Sequence, residues 1–174
     1  MKRSHLEHIL RASGAITDEQ EIVIFGSQAI LGKYPNPPAE LCRSMEADAF
    51  PIHAPEKTDL IDGTIGELSP FHEIHGYYAH GITDETVTLA TGWQQRLVRL
   101  ETPMTHGVVG LCLAPVDIAI SKLAAAREKD VSFVKIMVDN ELFDMSECRV
   151  LIQTLPEPMR LHIDTLLRGL SPQG

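Results

Sequence analysis

Two carboxylates, Glu46 and Asp48, stand two positions apart in the stretch SMEADAFP. The alternation of residue types there predicts a strand, and side chains two apart on a strand share one face. Two carboxylates on one face can bind a divalent cation that prefers oxygen ligands, such as Mg²⁺ or Mn²⁺. The same pattern is also typical of the polar outer face of an edge strand. The pair by itself therefore leaves a metal site and a solvated sheet face open.

A second candidate is Gly26-Ser27, which follows the strand-like run EIVIF and precedes the helix-like run QAIL. Backbone N–H groups at the start of a helix, together with a serine hydroxyl, can bind a phosphate oxygen. Glycine lets a ligand approach the backbone closely. A tight turn between two elements has the same composition, so this pattern also has two interpretations.

A third group of charged residues lies in DIAISKLAAAREKD, which we predict as one helix and its end. Asp117, Lys122, Arg127, Lys129 and Asp130 all belong to it. Lys122 and Lys129 are seven positions apart, which places them on nearly the same helix face. Cations in such an arrangement could neutralise a triphosphate. The alternative is a solvated helix with local ion pairs.

Three histidines, His72, His75 and His80, occur in a stretch rich in Gly and Tyr that we predict to be a loop near the site. A neutral imidazole can bind a metal or act as a general base, and His72 is our main candidate. Tyr77 or Tyr78 could stack on a nucleobase. A metal-dependent hydrolase using such a histidine is a weaker hypothesis, because no fixed-spacing partner completes a zinc set. Local hydrogen bonds in a loop are the alternative.

The elements that must position these groups follow from the periodicity of apolar residues. A capping box at Ser4 and Glu7 predicts the start of an N-terminal helix. Further short helices are predicted at 28–31, 39–44 and 55–68, and strands at 21–25, 44–51, 86–90, 96–102 and 108–113. From Pro115 onward every predicted element is a helix. The predicted class is α+β, a mixed sheet flanked by helices, with residues 1–114 as the core and 115–174 as a helical C-terminal part of the same structural domain.

Composition restricts the function classes. The chain has 174 residues and a formal net charge of -9, which fits one domain and argues against a broad nucleic-acid surface. No apolar run has the length of a membrane span, and the N-terminus lacks a signal-peptide pattern. The three widely spaced cysteines are expected to be buried thiols in a reducing cytoplasm. We therefore predict a cytoplasmic protein without a membrane partner.

In chain order, the Gly-Ser corner, the acid pair and the later helix resemble the nucleotidyltransferase superfamily. More narrowly, they are similar to small bacterial nucleotidyltransferase-like proteins related to the abortive-infection toxins. The stretches IFGSQAILG, SMEADAFP and CLAPVDIAISKLAAAREKD support this resemblance, which extends over residues 20–140.

The resemblance implies a metal-dependent enzyme that moves a nucleoside monophosphate from an NTP to an unknown acceptor, which could be RNA, protein or a small molecule. It implies Mg²⁺ or Mn²⁺ as the cofactor and a toxin–antitoxin-like role with a protein partner. The implied roles are phosphate binding by Gly26, Ser27, Lys122 and Arg127, metal binding by Glu46 and Asp48, catalysis by Glu46, Asp48 and Lys122, and closure of the helix motif by Asp130.

The sequence departs from the family pattern at two points. The first acid of the pair is Glu46 where the family usually has Asp, and a Pro-rich insertion lengthens the spacing from Ser27. Glu101 is the only acid on a later predicted strand in a position to be a third metal ligand. These departures support an alternative function, in which a catalytically degenerate relative binds a nucleotide or a protein partner without chemistry.

Overall fold

A mixed five-stranded sheet forms the centre of the computed structural model, which describes residues 1–170. The strands are β1 (Glu21–Phe25), β2 (Glu46–Pro51), β3 (Tyr78–Gly81), β4 (Val98–Leu100) and β5 (Val109–Cys112). Their order across the sheet is β3-β2-β1-β5-β4. β1 pairs antiparallel with β2 and parallel with β5, β2 pairs parallel with β3, and β4 pairs antiparallel with β5. The carboxyl end of β1 therefore lies at the same sheet edge as the starts of β2 and β3.

Eight α-helices surround this sheet within the described residues. They are α1 (Arg3–Thr17), α2 (Ile30–Lys33), α3 (Thr58–Ile65), α4 (Pro70–His75), α5 (Pro115–Ala125), α6 (Glu128–Asp139), α7 (Met145–Leu151) and α8 (Glu157–Leu170). None of these helices has the length and apolarity that a membrane crossing requires. The mixed sheet, the flanking helices and the helical C-terminal part confirm the predicted fold class. The division of the chain at residue 114 stays a prediction, and residues 171–174 of the predicted C-terminal part lie outside the described residues.

The core is built on β1, because four of its five side chains are buried. Leu6, Ile9 and Leu10 of α1 are fully buried in the same cluster. Burying apolar surface of this kind is the main favourable term in folding. The hydrophobic effect thus fixes β1 in the middle of the sheet, and β1 in turn fixes the corner that follows it. Cys112 and Cys148 are buried as expected, whereas Cys42 is half-buried.

The predicted start of the first helix is wrong by two residues, and a different residue caps the helix. Lys2 is the residue that precedes the helix, and Ser4 already lies within it. The amino group of Met1 donates to the carbonyl of Ser44 at 2.7 Å, which fixes the entry of the chain. Glu7 does not reach back to the helix start; its carboxylate accepts a hydrogen bond from Thr102 Oγ1 at 3.1 Å. A local hydrogen bond from the Lys2 N–H to His5 Nδ1, at 3.4 Å, takes the place of the predicted bond to Glu7.

Three other predicted elements also differ in the structure. The predicted Gly- and Tyr-rich loop is α4 followed by β3. The predicted strand at 86–90 is absent; a 3₁₀ turn at Asp84–Thr86 and irregular chain occupy this region, beside the cavity described below. The single helix predicted over residues 117–130 is two helices, because Ala126 adopts a left-handed conformation with φ 51° between α5 and α6. The stretch predicted as a helix at 39–44 is a 3₁₀ turn at Ala39–Cys42.

Candidate nucleotide and metal site

The acid pair lies at the start of β2, where this strand meets β3. Glu46 and Asp48 are half-buried and alternate with the buried Ala47, as expected for side chains on one face of a strand. In the parallel register Glu46 lies beside Tyr78, and Asp48 lies beside His80. Tyr78 Oη donates to Glu46 Oε2 at 2.8 Å, and His80 Nδ1 lies 3.1 Å from Asp48 Oδ1. Strand pairing thus supplies each carboxylate with a polar neighbour.

Glu46, Asp48 and His80 offer ligand atoms that all lie within 4.8 Å of one another. Burial raises the pKa of Asp48, and the neighbouring Glu46 raises it further, while the hydrogen bond with His80 opposes both effects. A bound cation relieves the repulsion between two close carboxylates. Oxygen and imidazole donors at this spacing fit a divalent metal ion.

The Gly26-Ser27 corner lies directly against this cluster. Gly26 has φ 65° and ψ -160°, a backbone conformation that is nearly confined to glycine. A Cβ atom at Gly26 would lie 2.1 Å from Asp48 Oδ2, so only glycine leaves this carboxylate in place. Ser27 begins the 3₁₀ turn that leads into α2, and its Oγ accepts a hydrogen bond from Gln28 Nε2 at 3.2 Å. Two motifs that are separate in the sequence are therefore in contact.

The two cations lie on α5, which contains Lys122, and directly before α6, where Arg127 precedes the helix. Lys122 Nζ lies 3.1 Å from Asp130 Oδ1, and Arg127 Nε lies 2.5 Å from Asp130 Oδ2. Burial would raise the pKa of Asp130, but the hydrogen bonds from Arg127 and Lys122 outweigh it, so the pKa lies below its ordinary value. Lys122 Nζ also lies 4.5 Å from the centre of the Phe133 ring, within the range of a cation–π interaction. The break at Ala126 brings Asp130 back to Lys122, so both cations are held by one buried carboxylate.

A cavity of about 900 Å³ separates the acidic wall from the basic wall. Its volume is in the range of small-molecule and cofactor sites. The functional candidates on its surface are Gly26, Ser27, Glu46, Asp48, Lys122, Arg127, Lys129 and Asp130. A polyanion that carries a divalent cation is complementary to such a pair of walls, because the cation meets the carboxylates and the anion meets Lys122 and Arg127.

Residues 4–157 match the family described as a nucleotidyltransferase of unknown function (DUF6036). The chain belongs to this family. The match confirms the predicted nucleotidyltransferase-like family, for which an NTP is the implied substrate and a divalent metal the typical cofactor. No curated protein and no solved structure gives a significant match to the chain.

Two of the predicted site residues lie away from the acid pair. Glu101 follows β4 at the far side of the sheet, where its carboxylate lies 2.7 Å from Arg99. His72 lies on α4, and its Nδ1 accepts a hydrogen bond from the backbone N–H of Leu68 at 3.1 Å. The His72 ring packs on Tyr78 with 4.6 Å between ring centres. Neither residue belongs to the cluster of Glu46, Asp48 and His80.

His80, for which the sequence offers less reason than for His72, is the histidine that lies within ligand distance of the acid pair. It lies on β3 directly beside Asp48, at the opposite edge of the sheet from Glu101, which the sequence offered as a third metal ligand. The period-two spacing of Tyr78 and His80 was the available signal, since both side chains share one strand face. Gly76 before the strand and Gly81 as its last residue conceal β3, because glycine next to so short a run is typical of a loop.

Proposed function

We propose that this protein transfers a nucleoside monophosphate from an NTP to an acceptor hydroxyl, with Mg²⁺ or Mn²⁺ bound by Glu46 and Asp48. The observation that supports the proposal best is the convergence of three predicted motifs on one cavity. Its acidic wall contains the carboxylates and the Gly26 corner, and its basic wall contains Lys122. This is the charge arrangement that a metal–triphosphate complex requires.

Each residue has a definite task in this reaction. Ser27 Oγ and the backbone N–H groups of the turn after Gly26 donate hydrogen bonds to phosphate oxygens. Lys122 and Arg127 offset the negative charge of the leaving pyrophosphate. A divalent ion, when bound by the two carboxylates, neutralises the charge on the transferred phosphoryl group.

The bond changes in the transfer are simple. A bond forms between the acceptor oxygen and the α-phosphorus, and the bond from the α-phosphorus to the bridging oxygen breaks. Pyrophosphate leaves, and the acceptor proton passes to solvent. Because the protein has to position the reactants and stabilise charge, holding the acidic and basic walls at a fixed distance is its main contribution.

A second function, nucleotide or protein-partner binding without chemistry, is favoured by one specific observation. The third group within ligand distance of the acid pair is the imidazole of His80, among the residues that the structure describes, and not a carboxylate. Asp130 also engages both Lys122 and Arg127, which lowers the positive charge available to a triphosphate. Such a protein would bind an NTP and release it unchanged.

The test is a transfer assay with each α-labelled NTP, Mg²⁺ or Mn²⁺, and a mixture of RNA, lysate protein, small hydroxyl compounds and the protein itself. Wild type is compared with Asp48→Asn and Lys122→Met, and with Glu101→Gln as a matched acidic control outside the site. We expect transfer by wild type and Glu101→Gln, and a loss of about 10²-fold or more in the two site variants.

Two results decide against catalysis. Equal transfer by wild type and Asp48→Asn would remove the assignment of the acid pair. If folded wild type binds the labelled NTP and transfers nothing, the binding function replaces the catalytic one.

A further inference from the structure

His80 faces the acid pair from the neighbouring strand. Its Nδ1 lies 3.1 Å from Asp48 Oδ1, and about half of its side chain, 49%, is exposed to solvent. The cross-strand register with Asp48 fixes the position of its backbone. An exposed ring that is fixed at its base can turn toward an ion between the carboxylates without disturbing the core.

The other neighbours orient the carboxylates toward the same point. Tyr78 Oη holds Glu46 Oε2, and the Gly26 corner confines Asp48 Oδ2. Groups that fix the ligands of a metal ion usually matter nearly as much as the ligands. The structure therefore presents three ligand atoms that are already within 4.8 Å of one another and are partly restrained.

We infer that His80 is the third protein ligand of this metal site and that it makes the site prefer a first-row transition ion, Mn²⁺, over Mg²⁺. Mg²⁺ demands nearly octahedral oxygen coordination and is reluctant to lose its water. First-row ions accept imidazole nitrogen together with carboxylate oxygen, and Mn²⁺ is the member of the series best suited to oxygen-rich sites. The inference rests on the proposed function for the use of a divalent ion, and it names which ion.

The test measures metal binding directly, in the absence of nucleotide. Mn²⁺ is titrated into the full-length protein, and free Mn²⁺ is followed by its electron paramagnetic resonance signal. Mg²⁺ is then added as a competitor. Wild type is compared with His80→Ala, His80→Asp and His72→Ala, each checked for folding by circular dichroism. His72→Ala is the matched control, because it removes a histidine that contacts Tyr78 but not the acid pair.

For wild type and His72→Ala we expect Mn²⁺ to bind at least about tenfold more tightly than Mg²⁺. In His80→Ala we expect Mn²⁺ affinity to fall by about tenfold or more, since even outer partners of a ligand have effects of that size. In His80→Asp, which completes an all-oxygen set, we expect the preference for Mn²⁺ over Mg²⁺ to shrink. Unchanged Mn²⁺ affinity in a folded His80→Ala protein would overturn the inference, as would equal affinity of wild type for both ions.

The transfer assay separates this inference from the proposed function. Mn²⁺ binding that depends on His80, without label transfer under any condition, supports the metal site and removes the transferase proposal. Label transfer together with Mn²⁺ binding that ignores His80 keeps the transferase proposal and removes the third ligand.

Discussion

Replacing Gly26 with alanine tests whether the proposed phosphate-binding corner and the proposed metal site depend on each other. A Cβ atom at this position would lie 2.1 Å from Asp48 Oδ2, and ordinary contact begins at 3.4 Å. The carboxylate therefore has to move by more than about 1 Å, and a displacement of that size can lower a catalytic rate by about 10²-fold. We expect Gly26→Ala to lose transfer and Mn²⁺ binding together.

The same substitution also has a cost in stability. The Gly26 conformation, φ 65° and ψ -160°, costs an alanine about 1–3 kcal/mol. For a chain of this size each kcal/mol shifts the Tm by about 2–4 °C. Gly26→Ala should therefore melt about 2–12 °C below wild type and still be folded at assay temperature.

Gly76→Ala is the matched control for backbone strain. Gly76 also has a positive φ of 73°, but a Cβ atom there would meet nothing within 4 Å. A left-handed alanine costs about 1–2 kcal/mol, so this variant should lose stability and keep metal binding and transfer. Urea unfolding gives the stability of each variant, and Mn²⁺ titration gives the state of the site. If Gly26→Ala bound Mn²⁺ as tightly as Gly76→Ala does, the position of Asp48 would not depend on the Gly26 corner, and the reasoning would be refuted.

Three further predictions concern groups around the site. Asp130→Asn removes the buried partner of two cations and should lower the free energy of unfolding by about 3 kcal/mol in urea titrations. The pKa of Asp130 in the folded protein lies below the ordinary value of 3.8, so wild type keeps this stabilisation above pH 3.8 and loses it as the pH falls through the folded-state pKa. If the stability of Asp130→Asn fell with acid as steeply as that of wild type, this reasoning would be contradicted. Burial and Glu46 raise the pKa of Tyr78 to about 12, so in ultraviolet titrations against Tyr78→Phe its hydroxyl should stay protonated until that pH, and ionisation near 10 would be the contrary result. Asp117→Asn breaks the buried, two-point ion pair with Arg96 and should cost about 3 kcal/mol of stability, while transfer per folded molecule, measured with labelled NTP, stays unchanged.

The parts of the fold with strong local patterns could be predicted from the sequence. The run EIVIF is apolar enough to identify β1, and the alternation around Glu46 identifies β2 and its polar face. β3 could not be predicted in this way. Only Ala79 within it is fully buried, and glycine lies near both of its ends. It is a strand because it pairs with β2, and that pairing joins residues far apart in the chain.

The break between α5 and α6 is hidden in the sequence for a similar reason. Alanine is the best helix former, so three alanines ending at Ala126 predict a continuous helix. The two ends instead meet through Lys122 and Asp130, a contact that local propensity does not contain. The sequence therefore predicts which cations form the basic wall, but it does not predict how they are arranged in space. Likewise, only the register of β3 shows that His80, and not His72, lies beside Asp48.

The central strand has partners at very different distances along the chain. β1 pairs with β2 through Phe25 and Asp48, whereas its pairing with β5 joins Glu21 to Val109. In a chain emerging from the ribosome, β1, β2 and β3 can associate well before β5, α5 and α6 have been made. The acid cluster can thus form early, while the second edge of β1 stays unpaired and open to association with other chains. Under the proposed function, the growing chain would have its metal ligands in place at this stage and would complete the basic wall only after residue 130 has been added.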